Sequence, residues 1–116
     1  MQKENVVQVK SFSFALEVVK LIKKLQADNK EYVLTKQLLR SGTAIGALVR
    51  EAEHAESKKD FTHKMNIALK EANETRYWID LLFKSDYISN KHYDRLNDAV
   101  TQLIKLLASM VKSSKQ

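Results

Sequence analysis

The sequence predicts an all-α protein folded as an antiparallel up-and-down four-helix bundle, on three observations. The chain has 116 residues, of which 44% are hydrophobic and 29% charged, the size and composition of one globular domain. It has no proline and only two glycines, so the residues that most often interrupt helices are nearly absent. Apolar residues also recur every three or four positions, as in amphipathic helices. We therefore predict one domain over residues 1–116, with helices at about 11–28, 32–55, 57–84 and 89–112.

The core face of each predicted helix follows from its apolar spacing, because residues three and four apart share one side of an α-helix. The first helix buries Phe14, Val18, Leu21 and Leu25. The second buries Leu34, Leu38, Ile45 and Ala52, with Ser41 and Leu48 beside them. The third buries Phe61, Met65, Ala68, Ala72, Ile79 and Leu82, and the fourth buries Tyr93, Leu96, Val100, Leu103, Leu107 and Met110. Short connections between such helices make sequential neighbours antiparallel, which excludes a crossover topology.

Two local signals support these boundaries, and a third predicts a close helix contact. Ser57 and Asp60 form an S-x-x-D pattern whose side-chain oxygens accept the unpaired amides of a first helical turn, so the third helix should begin there. Residues 28–30 (DNK) are predicted to end the first helix. Gly42 and Gly46 lie four residues apart inside the second helix, and this spacing predicts the close approach of another helix.

The chain has no cysteine, so disulfides, thiolate metal sites and cysteine nucleophiles are excluded, and nothing favours an oxidising compartment. No apolar run approaches the length of a membrane span, and the first ten residues lack the apolar segment of a signal peptide. We therefore expect a cytoplasmic protein with no membrane partner.

One pattern suggests a metal site, the E-x-x-H pair of Glu51 and His54, a spacing found in di-iron four-helix bundles. A di-iron site needs two such pairs and two further carboxylates pointing inward, whereas His54 projects about 180° from the core residue Ile45. Asp60 and His63 imitate a second pair, but His63 also projects outward. No phosphate-binding loop or nucleophile elbow is present. We predict no metal, no cofactor and no catalytic residue, and hence no enzyme.

The outward faces of the second and third predicted helices are basic, in a chain whose net charge is +6. Both faces carry cations interleaved with other polar residues, and the face of the third helix also carries a tyrosine. Such stripes can follow a phosphate backbone electrostatically while an aromatic ring contacts a sugar or base. The candidate nucleic-acid-binding residues are Lys36, Arg40, Arg50, His54, Lys59, His63, Lys70, Tyr77 and Lys84. The alternative is that these side chains form an ordinary solvated face.

Apolar residues also line the first helix opposite its core stripe and one flank of the third helix, where two glutamates accompany them. A simple bundle helix buries one stripe, so these surfaces predict self-association. The candidate interface residues are Phe12, Leu16, Val19, Ile67, Glu71, Glu74, Trp78 and Leu81. The alternative is that oblique packing within one protomer buries much of this area.

Several strings that together span most of the chain occur at residues 11–15 (SFSFA), 37–52 (QLLRSGTAIGALVREA), 57–61 (SKKDF), 67–72 (IALKEA) and 74–78 (ETRYW). These strings resemble the family of 23S rRNA intervening-sequence proteins. The resemblance implies an up-and-down four-helix protomer and a ring-shaped homopentamer. The family is related to the accessory variability proteins of diversity-generating retroelements, which are basic barrels linked with nucleic acid and a reverse transcriptase.

The chain departs from the family pattern at Leu48, where the family usually has asparagine. Either packing replaces a polar contact between helices at this position, or a binding role of that asparagine is absent here. Two functions remain open. The first is a non-catalytic homo-oligomeric bundle that binds RNA or DNA through its basic faces. The second is a protein-interaction adaptor or scaffold with no nucleic-acid role.

Overall fold

Four long helices make up the described part of the chain. The computed structural model describes the backbone of residues 3–115 and the side chains of residues 6–115. The helices are α1 (Lys3–Asn29), α2 (Val33–Ala52), α3 (Lys58–Lys84) and α4 (Asn90–Ser114), and residues 3–115 contain no strand. They form an elongated bundle of 45 × 22 × 21 Å. The predicted all-α class is confirmed.

The topology is that of an antiparallel up-and-down bundle, as predicted. Connections that are only a few residues long join successive helices, so each helix reverses the direction of the one before. Each helix packs on its neighbours in the sequence, and α4 closes the arrangement by packing on α1. The seam between α1 and α4 is the loosest of the four.

The ends of two helices differ from the prediction. Helix α1 begins at Lys3 rather than Ser11, because Val7 and Ser11 are both buried and extend the core stripe toward the N-terminus. Helix α2 ends at Ala52, before the predicted Ala55. The amides of residues 53–55 bond to carbonyls three positions back, at 3.0–3.3 Å, so the last turn tightens and the helix stops.

The predicted core residues are buried with four exceptions, which are half-buried at helix edges: Leu34, Leu48, Phe61 and Tyr93. Leu48 packs against the core, in agreement with the packing predicted at this position. Tyr93 stays at the edge because its hydroxyl donates to the Asp80 carboxylate at 2.7 Å and its ring stacks on Phe83. The apolar spacing thus identified the core correctly.

Serine hydroxyls cap two of the helices. The Ser57 hydroxyl accepts the amide of Asp60 at 3.0 Å, and the Asp60 carboxylate accepts the amide of Glu56 at 3.1 Å, which confirms the predicted start of α3. The Ser89 hydroxyl accepts the amide of His92 at 3.2 Å at the start of α4. Each serine pairs an amide that has no partner within its helix.

Glu31 caps α2 in place of the N-cap residue Tyr32, whose side chain makes no capping bond. The Glu31 carboxylate accepts the amides of Val33, Leu34 and Thr35 at 2.9–3.2 Å. Partial burial by itself would raise the pKa of Glu31, but these hydrogen bonds outweigh burial and hold the pKa below its ordinary value of 4.5. The ionised carboxylate therefore stabilises the start of α2.

The two glycines allow α1 to lie close to α2, as their spacing predicted. A Cβ atom added at Gly42 would lie 3.1 Å from a methyl carbon of Val18, which is fully buried. A Cβ atom added at Gly46 would lie 3.4 Å from the carbonyl oxygen of Ser11, an ordinary contact. The closest packing between the two helices is therefore at Gly42.

We expect Gly42→Ala to lower the free energy of unfolding by about 1–2 kcal/mol, because the β-branched Val18 side chain cannot move aside without strain. Gly46→Ala serves as the matched control. It should be neutral or should raise the free energy of unfolding by up to about 1 kcal/mol, since alanine favours helix and its Cβ atom would make only ordinary van der Waals contacts. Urea unfolding followed by circular dichroism measures both, and equal effects would contradict the close contact at Gly42.

Replacement of Glu31 by glutamine should reduce the free energy of unfolding by about 1 kcal/mol near neutral pH, as expected for loss of a helix cap. Because the pKa of Glu31 is lower in the folded state, the stabilisation is complete above the ordinary pKa of 4.5 and is lost as the pH falls through the lower folded value. Urea unfolding of wild type and Glu31→Gln across this range tests the prediction. A stability difference that does not shrink on acidification would refute it.

Candidate interaction surfaces

The outer face of α3 carries the main basic surface. Five of its exposed residues, which we call the α3 stripe, are Lys59, His63, Lys70, Tyr77 and Lys84. They extend over about 38 Å at 1.5 Å per residue. In residues 6–115 no acid lies within ion-pair distance of its three lysines. The α3 stripe therefore presents cations that no carboxylate within residues 6–115 neutralises.

Three aromatic rings lie on or beside the α3 stripe: Tyr77, Trp78 and Phe83. The Tyr77 side chain is 58% exposed and contacts the Trp78 ring edge to face, with centroids 5.0 Å apart. The Lys84 ammonium lies 5.8 Å from the centroid of the Phe83 ring. The exposed Tyr77 ring offers a flat surface beside the cations, on which a planar group can stack.

The predicted cations of α2 do not form one line in the structure. Lys36, Arg50 and His54 are exposed, and the Arg50 guanidinium lies 5.6 Å from the centroid of the Phe12 ring on α1. Arg40 turns the other way, toward α3. Side chains of α2 thus extend toward both neighbouring helices, so the basic surface on α2 is less continuous than the helical projection predicted.

Arg40 belongs to a cluster that joins α2 to α3. Its guanidinium donates to Glu71 at 3.2 Å and also pairs with Glu74, and the Trp78 indole donates to Glu74 at 2.9 Å. The bonds from Trp78 and Arg40 hold the pKa of Glu74 below its ordinary value, and the bond to Glu74 raises the pKa of Arg40. Two carboxylates therefore neutralise the Arg40 charge.

This Arg40 cluster changes how the candidate residues are grouped. The sequence placed Arg40 on the nucleic-acid surface, and it placed Glu71, Glu74 and Trp78 on the subunit interface. In the structure the four form one connected network within a protomer, in which Arg40 bonds to both glutamates and Trp78 bonds to Glu74, because α2 and α3 face each other at this level. Arg40 is consequently the least available of the candidate cations.

An exposed apolar face lies on α1. Val9, Phe12 and Leu16 are 61%, 53% and 48% exposed, and Val19 is half-buried. We call these four residues the α1 face. It borders a groove of about 550 Å³ against α2, whose wall contains the small residues Thr43, Gly46 and Ala47. Within residues 6–115 the Arg50 guanidinium lies over the Phe12 ring, but Val9, Phe12 and Leu16 remain about half exposed or more.

The apolar flank of α3 is covered to a larger extent. Ile67, Trp78 and Leu81 are half-buried, and Trp78 packs against the core. Oblique packing inside the protomer, the alternative considered for this flank, therefore accounts for part of it. The α1 face is the larger exposed apolar surface of the two.

The metal-site pattern has no structural counterpart among the described residues. Glu51 and His54 are both exposed, and the Glu51 carboxylate lies 3.8 Å from the Lys64 ammonium. Residues 6–115 contain no group of three or more histidine, aspartate or glutamate side chains placed to hold a metal ion. No helix within residues 3–115 combines the length and the apolar character needed to cross a membrane.

The fold and the surface together define the class of this protein: an up-and-down four-helix bundle with a basic exterior. The family model described as 23S rRNA-intervening sequence protein matches residues 3–109. The chain therefore belongs to the 23S rRNA-intervening sequence protein family, and the resemblance inferred from its sequence strings is confirmed.

The structure is similar to a crystal structure of a protein from the S23 ribosomal protein family of Bacteroides thetaiotaomicron. The two chains share 52% sequence identity with a TM-score of 0.94, over 96% of this chain and 99% of the other. That protein is described as having unknown function. Comparison with curated proteins gives no match. The relatives thus support the fold and the family and assign no activity.

Proposed function

We propose that this protein is a non-catalytic, homo-oligomeric helical scaffold of the cytoplasm that binds RNA or DNA through the α3 stripe and adjacent cations of α2. The observation that supports this proposal is the continuous exposure of Lys59, Lys70 and Lys84 without an acidic partner in the described residues. Unpaired lysines on a rigid helix attract phosphate and release its counterions.

The α3 stripe suits a nucleic acid strand in two respects. Its length of about 38 Å offers phosphate contacts at several points along one straight element. Tyr77 stands among the cations with its ring exposed, and stacking of a base on such a ring contributes about 1–3 kcal/mol without demanding a particular sequence. His63 adds a hydrogen-bond donor to this surface. Arg40 instead bonds to the glutamates of α3 and so orients α2 against α3.

The α1 face supports self-association. Three of its four members are about half exposed or more, in a helix whose opposite side is fully packed. Contiguous exposed apolar area on a soluble bundle commonly marks an interface, and closed symmetric rings are a common solution. We propose a ring of subunits, with five members as the family resemblance implies. A ring would repeat the α3 stripe around one assembly and strengthen binding through multivalency.

A protein adaptor is the second candidate function, because the α1 face and its groove can equally receive an apolar surface of another protein. The two functions differ in whether a binding partner stays bound to the protein after nuclease treatment. A partner retained after nuclease digestion of all RNA and DNA supports the adaptor. Loss of every partner on digestion supports the nucleic-acid scaffold.

Reversal of charge at Lys59 and Lys70 should weaken nucleic-acid binding by about tenfold or more and lower the salt slope by about 1.4–1.8, the value for two lost phosphate contacts. The measurement is fluorescence anisotropy of labelled single-stranded and duplex RNA and DNA over a salt series. Lys59→Glu and Lys70→Glu remove exposed charges, so the fold should persist.

The matched control is Lys105→Glu with Lys112→Glu, which makes the same charge change at exposed positions of α4. This variant should bind within about threefold of wild type if contacts on α3 matter more than net charge. Equal losses in the two variants would show that binding follows net charge and would refute the α3 stripe as the contact surface.

Charged replacements at Phe12 and Leu16 should dissociate the proposed oligomer, because a carboxylate buried in an apolar interface loses its hydration. Light scattering should report a protomer mass for Phe12→Glu with Leu16→Glu, and circular dichroism should report an unchanged helix content. Ser13→Glu with Ala27→Glu, on exposed sites of the same helix, should leave the oligomer intact. An unchanged mass for the Phe12 and Leu16 variant would exclude this face as the interface.

A further inference from the structure

A cleft lies between α1 and α4, along the loosest seam of the bundle. Its volume is about 370 Å³, and it is lined by Glu17, Lys20, Leu21, Lys24, His92, Arg95 and Leu96. Leu21 and Leu96 are 7% and 4% exposed and form its floor. The other five residues form polar walls, so an apolar floor lies between polar and charged walls. We call this site the α1–α4 cleft.

The walls of the α1–α4 cleft are strongly basic. Three of the lining residues are permanent cations, Lys20, Lys24 and Arg95, and Glu17 is the one acid among the lining residues. Neither lysine has an ion-pair partner among residues 6–115. The Arg95 guanidinium lies 2.5 Å from the Glu17 carboxylate. The site thus carries two cations in excess, Lys20 and Lys24, which have no ion-pair partner within residues 6–115.

The chemistry of these walls matches a phosphate group. Lys20 and Lys24 stand one helical turn apart on α1, so their ammonium groups can reach one anion or two neighbouring anions. Arg95 faces them from α4 and offers a planar pair of donors suited to phosphate oxygens. Its side chain is 74% exposed, so the guanidinium can turn from Glu17 toward a ligand without unpacking the core.

The floor and the size of the cleft select among phosphate compounds. Leu21 and Leu96 give the phosphate site an apolar floor. A hydrated inorganic ion does not need such a floor, whereas a sugar or a nucleobase can contact it. A volume of about 370 Å³ lies near the lower end for small-molecule sites and accommodates one nucleotide. A duplex keeps its bases stacked inside, so a single strand is the better fit.

We propose that the α1–α4 cleft binds one phosphodiester of a single-stranded nucleic acid, with Lys20, Lys24 and Arg95 on the phosphate and the adjoining nucleoside over Leu21 and Leu96. This inference rests on the proposed nucleic-acid role. It adds a contact site on the helices that do not carry the α3 stripe, so one strand or two can engage separate sides of a protomer.

Glu17 sets the strength of this site. In the free protein its carboxylate holds Arg95, and the Glu17 side chain is only 26% exposed, so the pair is formed at the cleft wall. An incoming phosphate competes with Glu17 for the guanidinium and is repelled by the carboxylate. Glu17→Gln keeps the shape of the side chain and removes the charge. It is therefore expected to tighten binding, which a variant that merely damages the fold cannot do.

The test uses the full chain and a labelled single-stranded oligonucleotide of about 20 nucleotides, enough to span more than one site. Lys20→Glu with Lys24→Glu should weaken binding about tenfold and lower the salt slope by about 1.4, the value for two contacts on a single strand. Lys105→Glu with Lys112→Glu, equal in charge change, should stay within about threefold of wild type. Glu17→Gln should bind about two- to fivefold tighter at low salt.

Inorganic phosphate distinguishes a free anion from a strand as the occupant. At matched ionic strength, phosphate and chloride should displace the oligonucleotide from wild type equally. Specific displacement by phosphate from wild type, but not from Lys20→Glu with Lys24→Glu, would identify the cleft as a site for the free ion and overturn the assignment to a strand.

The remaining outcomes separate this inference from the proposed function. If wild type binds and the Lys59 and Lys70 variant is weakened, while the Lys20 and Lys24 variant behaves as the α4 control, the cleft assignment fails and the proposed function stands. If Glu17→Gln binds no tighter than wild type, the role given to Glu17 and the cleft is wrong. If wild type binds no nucleic acid at low salt, both proposals fail together.

Discussion

The close packing of α1 on α2 is the constraint on which the surfaces of this bundle depend. Gly42 lets the Val18 side chain approach the α2 backbone, and Gly46 lies in ordinary contact with Ser11. The other side of α1 packs on α4 along the loosest seam of the bundle. The basic cleft lies along that seam, and Phe12 is exposed beside the groove between α1 and α2.

Charge pairing, by contrast, joins α2 to α3. Arg40 binds two carboxylates of α3 at partly exposed positions, where an ion pair typically contributes no more than about 1 kcal/mol to stability. Its larger effect is on the surface potential. The pairing removes Arg40 from the cations available to a ligand. Lys59 and Lys70 have no acidic partner within residues 6–115 and remain available. The net charge of +6 therefore does not show which cations are available to a ligand, because that depends on which of them form ion pairs.

Most of the fold was predictable because it depends on spacing within single helices. The core stripes and the Ser57 cap are local patterns, and both are present in the structure. The start of α1 was placed at about Ser11, with an earlier start left open, because its first residues mix polar and apolar types. Val7 is recognisable as core only when its neighbours are in place. The Glu31 cap was missed because this acid precedes the N-cap position, where capping residues are normally sought.

The periodicity of the chain was sufficient to establish the fold class, the core face of each helix and the apolar residues left on the outside of α1. Each of these follows from the 3.6-residue turn of one helix. Contacts between helices could be identified only from the folded structure. The pairing of Arg40 with Glu71 and Glu74, and the meeting of Lys20 and Lys24 with Arg95, depend on how far each helix is rotated and shifted against its neighbour. The projection of a single helix contains neither quantity, so residues distant in the chain were assigned to separate surfaces or overlooked.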